Sequence, residues 1–80
     1  MTTFEKVQKL LAEGLSCRPE KITMESDLVR DLGADSLDMV ELTVGFEDEF
    51  GITVDDEEAA TMKTVGDIVA MIEKHKKGLS

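Results

Sequence analysis

Ser36 lies in the run Asp31-Leu32-Gly33-Ala34-Asp35-Ser36-Leu37-Asp38, where a glycine-marked loop gives way to a long amphipathic stretch. A serine hydroxyl attacks as a nucleophile only when a base is in reach and a third group orients that base. The single histidine, His75, falls in the tail Lys74-His75-Lys76-Lys77 and is expected as a solvated helix-end residue. The single cysteine, Cys17, has no activating neighbour in the sequence and is expected as a small packed side chain. Alone, it builds neither an internal disulfide nor a Cys-based zinc site. Carboxylates are plentiful, but acids spread over a charged helix face do not make acid–base machinery. No catalytic constellation emerges, so the chain is not expected to be an enzyme. Two readings of Ser36 stay open. One is an N-cap for the helix that follows. The other is an attachment point, a substrate for another enzyme's chemistry. A phosphate ester there would sit near free backbone amides at the positive end of the helix dipole. Asp35 and Asp38 would oppose that charge, or hold a divalent cation while an external enzyme acts. A resident metal site is not expected. An EF-hand frame begun at Asp31 puts Gly33 at the third position and Leu42 at the terminal one; a frame begun at Asp27 puts Val29 third.

The elements that must position Ser36 are helical. Phe4, Val7, Leu10, Leu11 and Leu15 recur at helical spacing, and Thr2 with Glu5 forms a capping-box pattern, predicting a first helix from about Thr3 to about Ser16. Pro19 discourages helix at Arg18. A second helix fits Ser36 to about Phe50 and ends at Gly51. A short one fits Asp56 to Thr61 with Asp55 as cap. In the last helix Val65, Ile68, Val69 and Ile72 share a face, Thr64 and Asp67 form a start signal, the terminal cations suit the dipole, and Gly78 marks the stop. Ile52-Thr53-Val54 is β-prone but too short to count as a strand. The expected fold is therefore all-α, a four-helix bundle of three longer helices and one short one, in a single domain over residues 1–80. The connection from Cys17 to Asp35 is long; Ile22, Met24, Leu28, Val29 and Leu32 are expected to anchor it as an ordered loop, with one turn of helix near Asp27 to Asp31.

The second helix has two apolar faces. With Leu37 set at zero and about 100° per residue, Met39, Leu42, Phe46 and Phe50 cluster between about 140° and 220° as a core stripe. Leu37, Val40 and Val44 fall between about 300° and 0°, on the other side, with Glu41, Glu47 and Asp48 among or beside them. That second stripe either packs beneath the loop or another helix, or forms an exposed apolar strip with an acidic rim that fits a basic groove.

Charge narrows the choice of partners. The 80 residues carry a net charge of −9. Residues 25–58 hold thirteen acids against Arg30 alone, a net −12, while the flanking segments are weakly basic. Such a block repels itself and steers positively charged partners. It disfavours nucleic acid, which demands clustered Lys and Arg, and anionic membrane surfaces. No apolar run is long enough to span a bilayer, and the first residues lack the apolar core of a signal peptide. The chain is thus expected to be a cytoplasmic monomer with basic partners.

Asp31-Leu32-Gly33-Ala34-Asp35-Ser36-Leu37-Asp38, followed by Val40-Glu41-Leu42 and Glu47-Asp48-Glu49-Phe50, resembles the acyl carrier proteins of dissociated fatty acid synthesis. The similarity extends over nearly the whole chain, through Asp27-Leu28, Asp56-Glu57-Glu58-Ala59 and Thr64-Val65. It implies four helices with a long first loop. It implies that Ser36 receives 4′-phosphopantetheine from coenzyme A through a phosphopantetheinyl transferase, and that the arm carries acyl chains as thioesters to successive synthesis enzymes with basic docking patches. It implies that Asp35, Asp38, Glu41, Glu47 and Asp48 serve as recognition carboxylates and Leu37, Val40 and Val44 as the apolar strip. A polyketide intermediate or an activated amino acid is the alternative cargo, and an unmodified acidic interaction module the alternative of another class. Met39, Met62 and Met71 are soft enough to adapt around a bound chain, or simply fill the core. Two residues depart from the family pattern: Asp55 stands where proline is common, leaving the short helix's geometry open, and Gly45 lies in mid-helix, where it either permits close packing or softens the helix.

Overall fold

The computed structural model describes residues 2–78, and side chains through residue 76. Helix α1 spans Thr3–Leu15. Thr2 Oγ1 accepts from the Glu5 amide at 3.1 Å and Glu5 Oε1 accepts from the Thr2 amide at 2.9 Å, which satisfies two free donors at the helix start. The helix closes one residue earlier than expected, because Ser16 turns left-handed at φ 54°. A single 3₁₀ turn, Pro19–Lys21, follows. Helix α2 spans Ser36–Phe50 and stops at Gly51, whose φ of 64° favours glycine. Helix α3 spans Asp56–Ala60 and α4 spans Val65–Gly78. The expected stop at Gly78 coincides with the last described residue.

Helix α1 packs against both α2 and α4. Val7 and Leu11 from α1, Leu42 and Phe46 from α2, and Val65, Ile68 and Ile72 from α4 build the core, joined by Ile22, Leu28, Ile52 and Met62 from the connections. Removing these apolar surfaces from water is the main force holding so small a bundle together. Met39 and Phe50, expected in the α2 core stripe, are only half-buried at its edge. The Lys6 ammonium lies 5.8 Å from the Phe50 ring centre and covers it at the lower end of α2. Cys17 is a half-buried packing residue.

The long connection is ordered by backbone pairing with the start of α4. Leu28 N–H donates to Lys63 C=O at 2.9 Å, Val65 N–H to Ser26 C=O at 3.0 Å, and Gly66 N–H to Met24 C=O at 2.8 Å. Asp27 and Thr64 form an isolated antiparallel bridge; no strand occurs among the described residues. The expected helical turn at Asp27–Asp31 is a hydrogen-bonded turn running to Leu32. Asp27 Oδ1 accepts from the amides of Val29 and Arg30 at 3.0 and 2.8 Å. The reading of Met24 and Val29 as anchors is corrected: they are 41% and 63% exposed, while Ile22 and Leu28 carry the anchoring. The turn around Asp27 directs Leu28 inward and its neighbour Val29 outward.

Candidate functional site

Ser36 is placed by what precedes it. Gly33 takes φ 72°, a left-handed turn that lets Ala34 drop into the core and leaves Asp35 to begin the helix. Asp35, not Ser36, is the N-cap of α2. Its Oδ1 accepts from the Asp38 amide at 2.8 Å, and Asp38 Oδ2 accepts from the Asp35 amide at 3.1 Å. That reciprocal box removes the N-cap reading of Ser36. The serine stands at the first helical position, exposed, with its hydroxyl in no hydrogen bond among the described residues. A Cβ added at Gly33 would meet nothing within 4 Å, so the positive φ rather than crowding is what favours glycine there.

Among the described residues no base is hydrogen-bonded to the serine. His75 is not the solvated residue expected: its Nε2 lies 2.8 Å from Glu58 Oε2 and 3.0 Å from Oε1, in a half-buried pair joining α4 to α3. Partnership with Glu58 was invisible in the tail sequence because it depends on how α3 crosses α4. Glu58 Oε1 also faces the Asp55 amide at 3.4 Å while Asp55 Oδ1 accepts from the Glu58 amide at 2.7 Å. Aspartate therefore replaces the missing proline as a helix-start device, and α3 forms where expected.

The second stripe of α2 is exposed. Leu37, Val40 and Val44 are 66%, 62% and 50% accessible, so they do not pack beneath the loop. The acids at its rim differ in freedom. Glu41 and Asp48 are exposed and make no hydrogen bond among the described residues. Asp35 and Asp38 each commit one oxygen to the capping box. Glu47 is half-buried, and its Oε2 accepts from the Val54 amide at 2.8 Å, tying α2 to the segment before α3. Among the described residues no group of three or more His, Cys, Asp or Glu side chains is arranged to hold a metal ion. No described helix is long and apolar enough to cross a membrane.

A helical bundle that presents an exposed serine at a helix start, beside an exposed apolar strip rimmed by carboxylates, offers an attachment point next to a docking face. The comparisons agree. Residues 5–72 match the family described as the phosphopantetheine attachment site. A structure of an acyl carrier protein from Mycobacterium tuberculosis superposes with a TM-score of 0.85 at 33% identity, covering 91% of this chain and 97% of that one. The acyl carrier protein of Enterococcus faecalis superposes with a TM-score of 0.79 at 32% identity, covering 94% and 99%. The chain belongs to the acyl carrier protein family, and its cofactor is 4′-phosphopantetheine.

Proposed function

We propose that this chain is the acyl carrier of dissociated fatty acid synthesis, one domain acting as a cytoplasmic monomer, with 4′-phosphopantetheine attached to Ser36. The observation that carries the reading is the capping of α2 by Asp35, which leaves the neighbouring hydroxyl exposed and without a structural task. When bound, the arm supplies a terminal thiol that carries acyl groups as thioesters. The chain supplies everything else. Ser36 offers an accessible oxygen, and the positive end of α2 favours a phosphate placed on it. Asp35 and Asp38 fix the helix start, so the oxygen is presented in one direction. With His75 engaged by Glu58, deprotonation of Ser36 falls to a phosphopantetheinyl transferase, whose substrate is coenzyme A.

Presentation to synthesis enzymes with basic patches uses the exposed strip Leu37, Val40 and Val44, with Asp35, Asp38, Glu41, Glu47 and Asp48 at its edge. Apolar burial in the centre and charge at the rim is the pattern of a transient, steered interface. Each methylene of a cargo chain gains about 0.8 kcal/mol on leaving water, and α3 is the helix with the least buried surface to give up in admitting one. It has five residues, none of them buried. The cleft between it and α4, about 430 Å³, has Met71 and Ala70 among its walls. Incubation of the chain with coenzyme A, magnesium and a broad-specificity transferase tests the attachment by intact mass. Cargo mass on protein purified from its native source separates a fatty acyl chain from a polyketide intermediate or an amino acid.

A further inference from the structure

Helix α3 lies in a strap between two anchors. Across residues 53–61 no side chain is buried, and only Val54, Glu58 and Ala59 are half-buried. Ile52 and Met62, on either side of that stretch, are both buried in the core. With so little apolar surface of its own, the strap depends on polar fasteners. Two of them reach it from other helices. Glu47 Oε2 on α2 accepts from the Val54 amide at 2.8 Å. His75 Nε2 on α4 lies 2.8 and 3.0 Å from the two Glu58 oxygens, the only such acid–base pair among the described residues. A third fastener is internal. Asp55 Oδ1 accepts from the Glu58 amide at 2.7 Å, and Glu58 Oε1 faces the Asp55 amide at 3.4 Å. The Glu58 carboxylate therefore belongs both to the start of α3 and to its hold on α4. A proline at position 55 would fix the backbone there by its ring. With Asp55 in its place, the entry to α3 depends on the same carboxylate that His75 holds. Polar contacts open to water are each weak, so a segment held by them opens at a fraction of the free energy of global unfolding.

We propose that residues 53–61 open as one lid over the cleft between α3 and α4, and that Glu47 and His75 are the positioning residues that hold it shut. The proposal rests on the reading of that cleft, with Ala70 and Met71 among its walls, as the place where a cargo chain enters. Ile52 and Met62 stay seated and serve as the fixed ends, so the lid moves without parting α1 from α2 or α4. Release of Glu47 frees the approach at Val54. Release of His75 frees Glu58, and with it the start of α3. Glu47 thus has a task inside the chain, and His75 sets access to the cleft from the opposite helix.

Native-state amide hydrogen exchange on the full, unloaded chain tests the lid. Ala59 and Thr61 are the reporters, since their amides donate to Asp55 and Glu58 carbonyls at 3.0 and 3.1 Å. Leu11 and Ile72 report on the core. His75→Ala should speed exchange at both reporters about three- to tenfold and leave Leu11 and Ile72 unchanged. His75→Gln, which keeps a donor within reach of Glu58, should restore most of the protection. Glu47→Ala should act like His75→Ala, whereas Glu47→Gln keeps an oxygen for the Val54 amide and should exchange as wild type does. Equal acceleration at Leu11 and Ile72, reporters indifferent to both alanine variants, or glutamine variants no better than alanine would overturn the proposal. The cleft is read separately, by the Met71 methyl resonance before and after loading of Ser36 from octanoyl-coenzyme A by a transferase. That resonance should move on loading. A Met71 methyl that stays put while the exchange pattern holds removes the cleft as the cargo site and leaves the lid standing.

Discussion

Asp67 accepts the amides of Thr64 and Lys63 at 3.0 and 3.1 Å, while its own amide donates to Thr64 Oγ1 at 3.2 Å. These bonds, the Thr64 amide foremost, hold its carboxyl below the ordinary 3.8. The ionised form is therefore the one the fold prefers. Its stabilising effect is fully present above pH 3.8 and is lost as pH falls through the lowered value. Glu5 follows the same rule at the start of α1, where the Thr2 amide lowers its carboxyl from 4.5. Asp67→Ala should lower the melting temperature at pH 7 by several degrees, from a capping loss of about 1 kcal/mol. Melting curves of both proteins should converge as pH falls below 3.8; a gap that persists to pH 2 would mean that Asp67 acts by something other than its charge. At this scale the sequence is informative wherever partners are neighbours. Thr2 with Glu5 and Thr64 with Asp67 are legible because a capping pair spans three residues. The role of Asp35 beside Ser36 is harder to read, since two adjacent residues both suit a cap and only the backbone turn at Gly33 decides between them.

Gly45 carries the clearest prediction among the elements. It sits in the body of α2 with open space where a side chain would go, so the helix bears the cost of glycine without a packing return. Gly45→Ala should raise stability by about 0.5–1 kcal/mol, read as an upward shift in urea midpoint with unchanged slope. A lower midpoint would show that α2 relies on bending there. Gly14→Ala should do the reverse, because Leu42 must move away from the new methyl group. The helices themselves are legible from periodicity and caps, and their bounds fall within a residue or two of expectation. The route of the long connection is not. Ile22 and Leu28 announce that it is packed, but its path is set by backbone bonds to Lys63 and the start of α4, which no local pattern encodes. The link from His75 to Glu58 escapes the sequence for the same reason.

Over the whole molecule, charge is the organising feature. The net −12 of residues 25–58 spans the loop, α2, the approach to α3 and the first turn of α3, and the apolar strip lies inside it. Self-repulsion in that block should be relieved by screening, so added magnesium or sodium chloride should raise the melting temperature. A flat response would show that the repulsion is already harmless. Glu41→Lys should weaken binding to a condensing enzyme at low salt while leaving the melting curve intact, since Glu41 is exposed and holds nothing in place. Unchanged affinity would remove α2 as the docking face. The exposure of Leu37, Val40 and Val44 could not be decided from periodicity, which places them opposite the core but does not say whether a loop covers them. The decisive measurement remains the intact mass of the folded chain after incubation with coenzyme A, magnesium and a transferase. Wild type should gain one phosphopantetheine and Ser36→Ala none; a folded wild type left unmodified by an active transferase, or a loaded Ser36→Ala, would contradict attachment at this serine.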